Sequence, residues 1–252
     1  MLHDAPVVFV VDDDASVRKS LALLIDSAGW HAETFASAQE FLAWPRVLSP
    51  SCLVLDLHLP DLDGLEVQER VAADRVDMPI IFISGHGDVP MTVRAMKAGA
   101  VEFLTKPLES ESLLSAIRHA LERSTAILAE AAAMRSLREC HASLTCRERE
   151  VMALVVAGRL NKQVGAELDI SEITVKAHRG SMMRKMRASS LAHLVIMAAK
   201  LGIAPRDPVD GGKPLADRPT HATSADYGRP MVATLVGLYR NCSGTNGPNS
   251  MF

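Results

Sequence analysis

Long apolar runs are missing from this chain of 252 residues. No uncharged stretch approaches the roughly 18–20 residues needed to cross a bilayer, so no membrane partner is predicted. The N-terminus lacks the pattern of a secretory leader: His3 and Asp4 come first, and a short β-type apolar run follows. Cysteine is scarce. Cys52, Cys140, Cys146 and Cys242 are scattered without metal-binding or redox spacing, which argues against a zinc site or a disulfide framework. Internal repeats are absent too. These absences predict a cytoplasmic protein.

Charge is present, and it is unevenly spread. Residues 1–122 hold 9 basic and 19 acidic side chains, a net of -10, whereas residues 144–203 hold 10 basic and 5 acidic, a net of +5. A split of this kind predicts two domains with different partners, the basic one suited to nucleic acid.

In the acidic part, short apolar runs at Val7–Val11, Cys52–Leu55, Ile80–Ile83 and Val101–Leu104 alternate with polar helical stretches. A further strand is expected near His31–Phe35. Between the first two, Val17, Leu21, Leu24, Ile25 and Ala28 fall at helical spacing and stop at Gly29, as at a helix C-terminus. The alternation predicts an α/β domain with a parallel sheet, whose ligands lie beyond the carboxyl ends of the strands. Asp12, Asp13, Asp56, Ser84 and Lys106 each follow a predicted strand. Three carboxylates, a hydroxyl and a lysine gathered there suit a divalent metal and phosphoryl transfer. Mg²⁺ takes oxygen ligands, a carboxylate can form an aspartyl phosphate, and an ammonium can meet the charge of the transferred group. Singly, each residue has a plainer reading. Asp14 or Ser16 can cap the helix that follows, Asp56 can be a strand-end turn residue, and Lys106-Pro107 a loop dipeptide. His58 and His86 lack metal-ligand spacing and read as loop residues.

The stretches VVDDDASVRKSL (10–21), LVLDLHLPDLDGLEV (53–67) and PIIFISGHGDVPMTVRAMKAGAVEFLTKP (79–107) closely resemble the receiver domain of FixJ-type response regulators. The resemblance covers residues 5–122 and implies a flavodoxin-like, doubly wound sheet of five parallel strands. It implies Asp56 as phosphoacceptor, and Asp12 and Asp13 with Asp56 as the Mg²⁺ pocket, completed by the backbone carbonyl of His58. Ser84 takes the place of the switch hydroxyl, Phe103 that of the switch aromatic, and Lys106 that of the family's lysine. Gly64 fits the tight turn after Pro60–Asp63. Such a domain promotes its own phosphorylation from a donor and is not an enzyme with a separate substrate.

Beyond Glu109 a helical pattern runs into an Ala-rich stretch, so a helical linker is expected over 123–143. From Leu144 to Ile203 the chain reads as all helix, with breaks near Gly158–Leu160, Asp169–Ser171 and Ser189–Ser190. Thr145 and Glu148 are spaced as a capping box. Asn161–Leu168 reads as a short helix, Asp169-Ile170 as a turn, and Ser171 as the cap of a helix over Glu172–Met186. Along that last helix Ile173, Val175, Met182, Met183 and Met186 are more apolar positions than one core face can hold. Its cations, Lys176, His178, Arg179, Arg184 and Lys185, fit a helix that meets DNA or one whose charges are simply solvated.

The segment 144–186, with SLAHLVIMA (190–198) as a fourth helix, resembles the LuxR-type helix-turn-helix DNA-binding domain of the NarL/FixJ subfamily. By that resemblance Lys176 and His178 touch phosphates or bases, Thr174, Val175 and Arg179 lie nearby in the groove, and Lys162 touches a phosphate. Gly165 departs from the alanine usual in the family, weakening its helix without removing a contact. The implied partners are a sensor histidine kinase, double-stranded promoter DNA, RNA polymerase and a second copy of the chain after phosphorylation. The dimer surface is expected over Val89–Lys97 and Val101–Thr105. Two other readings differ in the second domain or the input. A protein-binding antagonist or phosphate sink would not need the cations of 171–187, and a quorum sensor would need a lactone pocket in place of the acidic one. From Ala204 the chain is about a quarter Pro plus Gly and is expected to be largely disordered, with an apolar island at Met231–Tyr239.

Overall fold

The structure, a computed structural model, describes residues 5–85 and 89–203. His86, the expected tail from Ala204, the island at Met231–Tyr239 and Cys242 lie outside the described residues. The chain divides between Met134 and Arg135 into two compact units.

The first unit alternates strand and helix: β1 (Val7–Val11), α1 (Ala15–Ser27), β2 (His31–Phe35), α2 (Ala38–Ala43), β3 (Ser51–Asp56), α3 (Gly64–Asp74), β4 (Ile80–Ser84), α4 (Val89–Lys97) and β5 (Glu102–Thr105). The last helix, α5 (Ser110–Ala142), begins here. The strands form one sheet in the order β2-β1-β3-β4-β5, and every pairing is parallel. The inner strands are buried along their whole length, because helices cover both faces and leave no polar side to alternate with. Period two still sorts their side chains. Val7, Phe9, Val11, Leu53, Leu55 and Phe82 face a core closed by α2, α3 and α4, while Val8, Val10, Cys52, Val54, Ile81 and Ile83 face one closed by α1 and α5. Asp14, Ser37 and Asp63 cap α1, α2 and α3 with their side chains, so the cap reading of Asp14 holds. Gly29, at φ +87°, ends α1 in the left-handed region as expected.

The stretch expected as a linker over 123–143 is the continuation of α5, unbroken from the helix that covers the sheet. Ser124 is fully buried. Its hydroxyl donates to the Asp77 carbonyl at 2.6 Å and accepts from the Ser51 amide at 3.0 Å, so the packing of the first unit extends past residue 122.

The second unit contains α6 (Cys146–Val156), α7 (Asn161–Leu168), α8 (Glu172–Lys185) and α9 (Leu191–Lys200). Its core is built from Val151, Met152 and Val155 of α6, Val164 of α7, Val175 and Met182 of α8, and Leu194 and Ala198 of α9. The α7–α8 turn reverses through Asp169 in the left-handed region (φ 52°), and the Ile170 amide returns to the Gly165 carbonyl at 3.0 Å. Gly165 therefore has a positive role, contrary to the expectation of mere helix weakening. A Cβ there would stand 2.8 Å from the Ile170 carbonyl oxygen, so glycine lets the turn close tightly on α7.

Candidate functional site

The acidic pocket sits at adjacent strand ends. β1 leads into Asp12 and β3 ends in Asp56, next to each other in the sheet, where the strand order reverses and a crevice opens. Asp12 is fully buried, Asp56 nearly so, and Asp13 exposed. One oxygen from each of the three lies within 4.8 Å of the others. Carboxylates this close repel each other, and Lys106 offsets part of that repulsion. Its Nζ donates to Asp12 Oδ2 at 2.8 Å and to Asp56 Oδ2 at 2.6 Å. Burial pushes the Asp12 carboxyl up, and the bonds from Lys106 and the Asp14 amide only partly counter it. Burial pulls the Lys106 ammonium down, but its two carboxylate partners outweigh that and leave it above the ordinary lysine value. A set of carboxylate oxygens with excess negative charge, two of its three members buried, fits a hard divalent cation such as Mg²⁺.

Backbone groups fix the carboxylates. The Asp14 amide donates to Asp12 Oδ1 at 2.9 Å and the His58 amide to Asp56 Oδ1 at 3.1 Å. Arg18 adds a support that sequence reasoning missed: its Nη1 donates to the carbonyls of Asp12 (2.7 Å) and Asp13 (2.9 Å), tying the loop after β1 to α1. An arginine four residues after a cap is ordinary helix composition, so no pattern marked it. Gly64 closes the turn where it was expected, its amide donating to the Leu57 carbonyl at 3.0 Å. Its φ is not positive, but a Cβ would stand 3.0 Å from the Asp56 carbonyl oxygen and from Leu57 Cα. Glycine lets α3 start directly against the chain leaving β3.

Ser84 ends β4, fully buried, and its carbonyl accepts from the Lys106 amide at 2.8 Å. Phe103 on β5 pairs in register with Phe82, two residues before Ser84, with the rings 6.3 Å apart. By strand alternation Ser84, Phe82 and Phe103 share the sheet face covered by α3 and α4. The structure thus brings Asp12, Asp13, Asp56 and Lys106 into one cluster, with Ser84 on the neighbouring strand end. The His58 side chain is exposed.

In the second unit Lys162 and Lys176 are exposed, with Lys176 Nζ 3.2 Å from Glu172. Thr174, His178 and Arg179 are half-buried, and Arg179 donates to Asn161 Oδ1 at 2.9 Å. Val175 is a correction: expected near the groove, it is fully buried in the core and has no surface to offer DNA. Ile173, one of the apolar positions too numerous for a single core face, is exposed. The sequence marked Glu148 as half of a capping box, and that box is present. The structure adds that the buried carboxylate also accepts from Ser181 Oγ at 2.6 Å and Lys185 Nζ at 2.7 Å, clamping α6 to α8. Burial works against ionisation, yet the bonds from Lys185, Ser181 and the Thr145 amide pull this carboxyl down to about 2.

Comparison with known proteins decides what this pair of units is. The family model described as response regulator receiver domain matches residues 8–118, and that described as bacterial regulatory proteins, luxR family, matches 142–198. Nodulation protein W of Bradyrhizobium diazoefficiens is 49% identical over 198 residues, 79% of this chain and 87% of its own length. The chain is a FixJ-type response regulator. The transcriptional regulatory protein FixJ of Rhizobium meliloti is 43% identical to this regulator over 198 residues, 79% of this chain and 97% of its own. The solved structure of the response regulator StyR superposes with a TM-score of 0.72 at 47% identity, covering 78% of this chain and 99% of that one. The regulator thus joins a receiver, whose acidic pocket is of the kind that binds Mg²⁺ and whose family implies a histidine kinase, to a LuxR-type DNA-binding domain. Among the described residues no helix is long and apolar enough to cross a membrane.

Proposed function

We propose that Asp56 accepts a phosphoryl group from a sensor histidine kinase and that this modification drives two copies of the regulator onto promoter DNA. The observation that carries the reading is the Lys106 ammonium, bonded at once to Asp56 and Asp12. It sets a nucleophilic carboxylate beside a cation able to meet the incoming phosphoryl oxygens. In the transfer an Asp56 oxygen forms the new P–O bond as the P–N bond to the kinase imidazole breaks, and the imidazole keeps the electron pair. Asp12, Asp13, Asp56 and the His58 backbone carbonyl would hold Mg²⁺, which when bound supplies neutralising charge to the phosphoryl group. No separate substrate is turned over.

The Ser84 hydroxyl then donates to a phosphoryl oxygen, and Phe103 moves toward the space it leaves. That remodels the face made by α4 and β5, where Val93 and Met96 are already exposed, into a dimer surface. Dimerisation brings two DNA-binding units to two half-sites. A swing from 1:99 to 99:1 requires about 5.5 kcal/mol of differential stabilisation. On DNA, Lys176, His178, Thr174 and Arg179 of α8 approach bases and phosphates, and Lys162 of α7 a phosphate. The dimer works in the cytoplasm, beside RNA polymerase at the promoter.

The test is selection of genomic fragments by the purified regulator, with and without beryllofluoride and Mg²⁺. Discrete sites, sharpened by beryllofluoride in the wild type and not in Asp56→Asn, are expected. No enrichment in either state, even at low salt where phosphate contacts are strongest, would turn the reading toward a protein-binding role.

A further inference from the structure

Helix α8 has two distinct faces. Val175, Met182 and Met186, spaced seven and then four residues apart, are fully buried and share the inner one. Ile173, Lys176, Ala177, Gly180 and Arg184 are all exposed and fall at helical spacing along the outer one. Single exposed apolar residues are common on protein surfaces, so exposure alone decides little. What distinguishes Ile173 is its setting. It is 81% exposed in the first turn of the helix, on a face whose other large side chains are the cations Lys176 and Arg184. The middle of that face is almost bare, with Ala177 and then Gly180. A Cβ at Gly180 would meet nothing within 4 Å, so no packing inside the protein calls for glycine there, although glycine is a poor helix former. A bare, cationic face with one apolar residue at its leading end suits close approach to a polyanion that carries a small apolar feature.

We infer that Ile173 reads sequence by packing against the 5-methyl group of a thymine in the major groove of each half-site. The inference rests on the reading of α8 as the recognition helix. Recognition helices present their N-terminal residues to base edges. In the major groove the thymine methyl is the apolar mark that separates an A·T pair from a G·C pair. Ala177 and Gly180 leave room for the helix to settle deep enough for the Ile173 side chain to reach it. Lys176 and Arg184, on the same face, supply the charge that holds the helix to the duplex without distinguishing thymine from uracil.

The experiment uses the full-length regulator and a random pool of double-stranded DNA, from which a bound site is selected. Each thymine of that site is then replaced in turn by uracil, which pairs identically but lacks the methyl. Wild type is expected to lose about fourfold in affinity at one position per half-site, as for one buried methyl group. Ile173→Ala should bind the thymine duplex more weakly, keep the wild-type Tm and show no response to uracil at that position. Equal binding of thymine and uracil at every position, or the same penalty retained by Ile173→Ala, overturns the inference and leaves DNA binding intact. Failure to select any site, with no salt-dependent binding of any duplex at low ionic strength, would overturn the DNA-binding reading and this inference together.

Discussion

Replacing Glu148 by glutamine is expected to lower the melting temperature of the DNA-binding unit and leave that of the receiver where it is. The carboxylate accepts bonds from the Thr145 amide, Ser181 Oγ and Lys185 Nζ, and is buried among them. Glutamine keeps the shape and one acceptor, but it turns an amide N–H₂ toward donors and leaves Lys185 without its counter-ion. The Lys185 side chain is 32% exposed, so water takes up part of that loss and the penalty falls short of that for a fully buried pair. Charge-assisted bonds contribute about 1.5–3 kcal/mol each, and the retained acceptor recovers some of this, so the net destabilisation is about 2–3 kcal/mol. In a domain of this size each kcal/mol moves the transition by about 4–8 °C, which gives a fall of about 10–20 °C. Both tryptophans, Trp30 and Trp44, lie in the first unit, so their fluorescence reports the receiver while helical circular dichroism reports both units. The sign with pH follows from the depressed pKa. The stabilisation is fully present above the ordinary glutamate value of 4.5 and is lost as pH falls through about 2, so wild type and variant should converge in acid. A shift below about 3 °C at neutral pH, or a tryptophan transition that moves equally, would refute the clamp.

Gly64→Ala should destabilise the receiver by about 1–3 kcal/mol in urea unfolding, since the new Cβ meets backbone at 3.0 Å on two sides and little there can yield. Lys106→Ala removes the cation that competes for Asp12 and Asp56, so calorimetric titration should find Mg²⁺ bound about tenfold more tightly. Val175→Ala should lower the stability of the second unit by about 1.5–3 kcal/mol, read by thermal melting. Lys176→Ala, by contrast, should leave the melting curve unchanged and reduce the salt slope of DNA binding by about one.

The inner strands were legible because burial on both faces writes them as unbroken apolar runs, and the pocket carboxylates stand at the ends of two of them, β1 and β3. The edge strands β2 and β5 are half-exposed and read as HAETF and EFLT, so their signal is weaker at the same backbone geometry. The pocket residues were legible as types at strand ends, and the structure supplies the cross-links between distant segments, Lys106 to Asp12 above all. Supports such as Arg18 were not legible, because a side chain that bonds backbone carbonyls leaves no periodic trace. The inner and outer faces of α8 were not separable either. Its apolar residues are more numerous than one face can take, and only packing against α6 and α7 shows that Val175 turns inward and Ile173 outward.

Asp12 and Glu148 are both buried and bonded to a lysine, yet their carboxyls shift in opposite directions, because their surroundings answer the charge to different degrees. Glu148 has three donors to itself, so its charge is more than answered and its carboxyl drops to about 2. At Asp12 burial prevails: it shares one ammonium with Asp56, and neither that bond nor the one from the Asp14 amide brings its raised carboxyl back down. A raised carboxyl means that the folded state favours the protonated form, and ionised Asp12 therefore works against the receiver's own stability. A fold selected for stability alone would add a further donor beside Lys106 and the Asp14 amide, or remove a carboxylate. Keeping three carboxylates around one lysine leaves negative charge unanswered at the strand ends, which makes the pocket attractive to an external cation. Arg18 and Gly64 belong to the same design, since carboxylates that repel stay together only if the backbone beneath them is held by other contacts.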